Sequence, residues 1–388
     1  MLNRFLFAVV LPGLALCASC SPPEKESVPP GKPLLAIPAV YDTSSYRTAT
    51  TEQAALLIRF RTLVDELKKG RNPANILSGD VLVSLFTTGS PGLYPYTLSS
   101  FRDFVSGGEA SWLAEAARAS GKGWSPGTPP ADGSVQGGVF GTGSSAYLFD
   151  ENGVEIEQLV EKGLFGALLF HQMNQIFNQP FLTPADVDKA LCLSGSNPTF
   201  PNTSTAAKAA RPDAFFAVYL ARRDKNNGNG FYSQFKNGFI KLQAAVKAGD
   251  AYKAEQAEAI GAIRNAMERA NAATIINYCQ TATSTLSQTT VSDGQRAASL
   301  HAIGEAIGFL WGYRGLANKS MRETTLDGLW GKFNCGPGQN SGVYRFATQP
   351  ESELNKLTEV ISVLKAEYNF SDAEIDDFKK NWITEQGR

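Results

Sequence analysis

The stretch from Gly153 to about Gln179 constrains the chain most. It is helical in pattern and apolar nearly all round, with Leu159, Val160, Leu164, Phe165, Leu168, Leu169, Phe170 and Ile176 spread over every side of the helix. A helix of that kind has no face to give to water and is buried on most sides. Other helices must surround it, and the rest of the sequence supplies them. Thr50-Thr51-Glu52-Gln53 reads as a Thr/Gln capping box for a helix to about Lys69, in which Ala54, Leu57, Phe60, Val64 and Leu67 recur at three and four residues. A further helix covers Gly108 to Ser120, and Thr183-Pro184-Ala185-Asp186 starts another with proline at its first position. Ala206 to Asp224, Phe231 to Ala248 and Asp250 to about Thr283 are alanine-rich and helical in pattern. Ser292-Asp293-Gly294-Gln295 caps a helix to about Tyr313, followed by Met321 to Phe333, Pro350 to Tyr368 and a helix opened by Ser371-Asp372-Ala373-Glu374. Gly121 to Pro130 and Ala131 to Ser145 read as long loops with a short hairpin. Strand-like alternation is scarce, so the fold class is mainly α: helical bundles with long Gly/Pro-rich loops.

The first residues point to export. Met1-Leu2-Asn3-Arg4 carries one positive charge, and Phe5 to Leu16 is uncharged but too short to span a bilayer. Ala18-Ser19-Cys20 places small residues before a cysteine, the pattern of a lipoprotein signal, whereas Cys17 follows bulky Leu16. We expect residues 1–19 to be removed, Cys20 to be acylated with palmitate, and 20–40, polar and proline-rich from Ser21 to Pro33, to form a tether. Ordinary secretion with cleavage nearby is the alternative. The chain is then expected in the cell envelope, at the outer membrane or the periplasmic face. Residues 41–388 form the helical domain, either as one body or as two bundles divided near 200.

With 36 basic and 37 acidic residues the chain is nearly neutral, and no lysine or arginine cluster offers the phosphate-neutralising patch of a nucleic-acid binder. Beyond the leader stand Cys192, Cys279 and Cys335. An oxidising compartment permits one disulfide among them, and Cys192 with Cys335, both read at loop edges, is the expected pair, leaving Cys279 as a thiol.

No Walker loop or His-Glu-x-x-His occurs. Ser233-Gln-Phe-Lys236 lacks its companion Lys-Thr-Gly, and Asp224 to Gly230 has the wrong residues at the fifth and sixth positions of a calcium loop. The chain has only two histidines, His171 and His301, both in its most apolar helices. At 100° per residue His301, Glu305, Gly308 and Gly312 share one face, where glycines let a neighbouring helix approach and the imidazole and carboxylate point into the contact. His and Glu at i and i+4 can be two metal ligands, a base with its orienter, or a hydrogen-bonded packing pair. On the first helix Glu157, Glu161, Leu168, His171 and Gln175 share a face; Glu161 and His171 stand about 15 Å apart along the axis, too far to share an ion. Glu157 and Glu161 also read simply as favourable charge in the first two turns. If the two histidine helices pack together, a group of the first can meet the His301/Glu305 pair.

Tyr41-Asp42, Thr51-Glu-Gln53-Ala-Ala-Leu-Leu-Ile-Arg59, Glu157-Gln158-Leu-Val-Glu-Lys162-Gly163-Leu-Phe-Gly166-Ala167 and His301-x-x-x-Glu305-Ala306-x-Gly308-Phe309, in that order, resemble the DUF4856 family of bacterial envelope lipoproteins. That resemblance brings a location but no activity. More distantly, a lipoprotein signal followed by helical bundles with a His/Glu helix resembles the imelysin-like proteins, whose Gly-x-His-x-x-Glu implies iron uptake, metal binding or peptidase activity. Here Ser299 replaces the glycine and Gly304 stands at i+3. The leading expectation is a non-enzymatic envelope lipoprotein binding a small ligand or a metal, such as a divalent ion or iron, between helices. Its rivals are a metal-dependent hydrolase and a structural or partner-binding lipoprotein with inert histidines. The expected partners are the membrane, through the acyl anchor, and a small ligand, metal or envelope protein.

Overall fold

The computed structural model describes residues 32–128, 137–336, 339–340 and 342–388. The leader and Cys20 lie outside the described residues. Three helix starts form as the sequence predicts, because each puts a short oxygen-bearing side chain where free N–H groups need an acceptor. Thr183 with Asp186, Ser292 with Gln295 and Ser371 with Glu374 make reciprocal capping boxes. Thr50 does not. A short helix, Tyr46–Ala49, runs straight into the next one, so the Thr50 hydroxyl donates back to the Tyr46 carbonyl at 2.7 Å.

The helices that matter below are α1 (Thr51–Lys68), α2 (Gly79–Thr87), α3 (Ser99–Ser106), α4 (Trp112–Ala119), α5 (Ile156–Leu164), α6 (His171–Phe177), α7 (Pro184–Leu193), α8 (Phe215–Arg222), α9 (Phe231–Ala248), α10 (Lys253–Leu286), α11 (Asp293–Trp311), α12 (Glu323–Lys332) and α13 (Pro350–Glu367). Between α4 and α5 a small antiparallel hairpin, β1 (Gly138–Phe140) and β2 (Tyr147–Phe149), sets Val139 opposite Leu148. Short connections fold α9, α10 and α11 back along one another, and α11 in turn packs on α5. Within α5 every residue except Glu161 is buried, as the all-round apolar pattern demands.

Helices α5 and α6 are continuous through a wide π turn, Phe165–Phe170, that is wholly buried. The Leu98 N–H donates to the Ala167 carbonyl at 2.8 Å, drawing a helix acceptor out toward a neighbouring segment, and the wider turn shifts all that follows by about one residue around the axis. Phe165 sits at the centre of the core, against Phe60, Phe216 and Phe309 at 5.9, 6.3 and 5.9 Å. The core thus continues across residue 200, and Leu35–Arg388 is one unit. No helix of the described residues is long and apolar enough to cross a membrane.

The expected disulfide is corrected. Cys192, Cys279 and Cys335 are all buried thiols. Cys192 is not at a loop edge but on the inner side of α7, against the Tyr46 and Thr50 hydroxyls, while the Cys335 sulfur lies 4.0 Å from the Trp330 carbonyl at the end of α12. Burial pushes all three thiols up, most strongly Cys279 and Cys335, so they resist ionisation and behave as small core residues.

Candidate functional site

The glycine face of α11 does what its spacing implies. Gly304, Gly308 and Gly312 lie against α5 and the residue before it: a Cβ on Gly304 would stand 3.3 Å from the Glu155 side chain, one on Gly308 would collide with the Gln158 carbonyl, and one on Gly312 would come within 2.8 Å of the Gly163 carbonyl. So close an approach forces the polar groups of the two segments together without water between them. Glu155, Glu157, Lys162 and Glu305 are 0, 3, 4 and 8% exposed.

Charges buried to that degree need partners, and each has one. Arg71, at the end of the turn that follows α1, donates from Nη2 to Glu155 at 2.9 Å and from Nε to Glu157 at 2.7 Å. The second Glu155 oxygen is hydrogen-bonded to His301 Nδ1. His301 Nε2 stands 3.6 Å from Glu305, an ion pair rather than a hydrogen bond. The other Glu305 oxygen meets Lys162 at 3.3 Å and the Tyr219 hydroxyl at 3.4 Å, and Lys162 also binds Glu161 at 2.7 Å. Tyr147 of the hairpin stacks on the imidazole, centroids 4.3 Å apart, and lies 4.8 Å from the Arg71 guanidinium.

The expected pair is therefore real, but it belongs to a network running from Arg71 through Glu155, His301, Glu305 and Lys162 to Glu161. Two expectations are corrected. Glu157 is more than first-turn charge: it is buried beneath Arg71, and Gln158 donates to its other oxygen at 3.1 Å. His171 does not join the cluster: α11 runs alongside α5 with Gly304 at Glu155 and Gly312 at Gly166, so His171 lies beyond its end; half-buried, it contacts Gln175 at 3.2 Å. Sequence reasoning missed Glu155, Arg71, Lys162, Tyr147 and Tyr219. A signal did exist: the acids of so apolar a stretch, Glu155 and Glu157 above all, cannot be buried without cations.

A metal ion does not fit this arrangement. The carboxylate oxygens it would need are held by Arg71 and Lys162, and among the described residues no three His, Cys, Asp or Glu side chains are grouped to hold one.

Proton affinities follow from burial and the neighbours. Burial and the adjacent Glu155 charge push the Glu157 carboxyl up to about 8 against the pull of Arg71. Burial works against protonation of His301, but the Glu155 charge and hydrogen bond outweigh it and raise the imidazole above its ordinary value. Outside the network, burial pushes Asp150 up to about 8 and Glu115 up to about 7. A raised folded-state value means the folded chain holds protons that the unfolded chain has released. For His301 the stabilisation is complete below about 6.5 and is lost as pH rises through its higher folded value. For Glu157, Asp150 and Glu115 stability falls between their ordinary values near 4 and their raised ones. All four act in one direction, so the thermal unfolding midpoint is expected to fall by several degrees from about pH 5 to about pH 8. A midpoint that rises over that interval would contradict these assignments.

One end of the network reaches a surface cleft of about 610 Å3 between α1, α5 and α8, where Lys68, Glu161, Tyr219 and Arg222 are among the lining residues. No curated protein and no solved structure matches the chain. The family described as "Domain of unknown function (DUF4856)" matches residues 128–326, just over half of the chain, a span that holds every member of the network except Arg71, and the chain belongs to that family.

Proposed function

We propose that this chain is a non-enzymatic lipoprotein of the bacterial cell envelope, held to a membrane by an acyl group on Cys20, whose helical domain binds a small ligand. The observation that carries the binding reading is the cleft between α1, α5 and α8: its volume, about 610 Å3, suits a small organic molecule, and its wall combines aromatic rings with charged groups. The ion-pair network behind it acts as the rigid back wall. It is poor catalytic machinery, since His301, its one imidazole, is already engaged by two carboxylates. Among the described residues no further His, Cys, Asp or Glu joins His301 and Glu305 in a group that could hold a metal, so we favour binding over the metal-dependent hydrolase reading.

Two measurements test this reading. Full-length protein extracted from membranes in mild detergent without chelators, then denatured, should release an organic molecule detectable by mass spectrometry. Release of a stoichiometric metal, or of nothing, would count against it. Separately, Cys20→Ser should end incorporation of labelled palmitate and move the protein from the membrane to the soluble fraction. Labelling that persists in that variant would refute the anchor at Cys20.

A further inference from the structure

The cleft carries positive charge that its own acids do not answer. Arg61 and Arg222 line it, and neither has a carboxylate within ion-pair distance among the described residues; their guanidinium groups lie instead over rings, Arg61 at 5.1 Å from Phe215 and Arg222 at 5.0 Å from Tyr219. Lys68 reaches Glu157 only at 3.9 Å. The acids of the wall are mostly engaged. Glu161 is bound to Lys162 at 2.7 Å, and Asp213 accepts from the Tyr232 hydroxyl at 2.7 Å, the Ser196 hydroxyl at 3.1 Å and the Asn197 N–H at 3.0 Å. That leaves the exposed Asp65 against Arg61 and Arg222.

The other side of the cleft is apolar and held in an unusual conformation. Phe215 has φ of 48°, a region bulky side chains rarely adopt. The backbone before it is fixed by Asp213 N–H to the Thr203 carbonyl at 2.8 Å and Ala214 N–H to the Gly195 carbonyl at 2.9 Å. The result is a Phe215 ring stacked on Phe60 at 5.5 Å, forming a flat aromatic wall beside Arg61. Strain of this kind persists only where the surrounding structure enforces it, and it concentrates at ligand sites.

We propose that the cleft takes a small anionic ligand, with a phosphate or carboxylate held by Arg61 and Arg222 and a flat apolar part against Phe215. The proposal rests on the ligand-binding reading above. A guanidinium presents paired donors that match the two oxygens of such an anion.

The test is equilibrium dialysis of the full-length protein, with the same detergent on both sides, against 1-naphthyl phosphate and 1-naphthol, which share a ring and differ in the anion. Wild type should bind the phosphate at least about tenfold more tightly than the naphthol, and R61Q/R222Q should lose that preference. R61K/R222K keeps the charge but not the paired donors, so it should retain part of the preference, which separates loss of charge from loss of fold. Naphthol bound as tightly as naphthyl phosphate, with R61Q/R222Q changing neither, overturns the anionic ligand and leaves the binding reading standing. Neither probe binding overturns both. Displacement of bound naphthyl phosphate by phosphatidylglycerol in the micelle, or by glycerol 3-phosphate in water, supports the proposal and assigns the phosphate to a lipid or to a free solute.

Discussion

Gly308→Val is expected to lower the thermal unfolding midpoint by roughly 10 °C or more, or to leave no cooperative transition, with the loss followed by circular dichroism. The residue lies in the middle of α11, where a glycine is ordinarily a weakness worth about 1 kcal/mol relative to alanine. Here it is required. A Cβ at this position would collide with the Gln158 carbonyl of α5 and come within 2.9 Å of the Lys162 side chain, so a branched side chain must push the two helices apart. Overpacking a core typically costs about 1–3 kcal/mol when side chains can yield. The obstacle here is backbone, and separation would also open the ion pairs that bridge the same helices, so the cost should exceed that range. At roughly 2–4 °C per kcal/mol for a domain of this order of size, the expected shift follows. Gly261→Ala in α10 is the control, because nothing lies within 4 Å of its added Cβ. That substitution should leave the midpoint unchanged or raise it. If Gly308→Val melts within about 2 °C of wild type, helices α5 and α11 are not in backbone contact.

The contrast shows what the sequence could and could not say. Two glycines four residues apart, Gly308 and Gly312, on one face with a histidine and a glutamate are a local pattern, and local patterns convert directly into which side of a helix is crowded. The all-round apolar helix from Gly153 was legible for the same reason, as were the helix starts at Thr183, Ser292 and Ser371, each fixed by a short-range exchange of hydrogen bonds. What meets that face is non-local. Arg71 lies in Lys68-Lys69-Gly70-Arg71, where basic residues near the end of a helix look like ordinary dipole partners, and nothing near it in sequence announces that it will sit on Glu155 and Glu157, 84 and 86 residues on. The position of His171 failed for a subtler reason. Its face was counted at 100° per residue, but the residue stands roughly 24 Å along the axis from Glu155, past the end of α11. Cys192 and Cys335 failed because the read loop edges were a buried helix face and the shoulder of α12.

The same network makes Glu155 the most consequential acid in the chain. Glu155→Ala should destabilise the domain by about 3–5 kcal/mol, the usual cost of removing one partner from a buried ion pair. The carboxylate is fully buried and serves two cations at once, Arg71 through one oxygen and His301 through the other. Its loss strands a guanidinium that retains only Glu157, and an imidazole that retains only Glu305 at 3.6 Å. Glu155→Gln keeps the volume and removes the charge, so it should be less damaging and more informative. The Glu155 charge is the largest influence opposing burial at His301, and after burial it is the largest of the three causes that raise Glu157. Without it the imidazole gives up its proton at lower pH and the Glu157 carboxyl ionises more easily. Both changes flatten the fall in stability between about pH 5 and pH 8, so the variant's midpoint should vary less with pH than that of wild type, most visibly near pH 7. In a double-mutant cycle with His301→Ala, Glu155 and His301 should show a coupling of about 1–3 kcal/mol at pH 6, shrinking as pH rises and the imidazole becomes neutral. Additive effects at pH 6, with an unaltered pH profile in Glu155→Gln, would mean that the imidazole and Glu155 do not interact and that the raised proton affinities have another source.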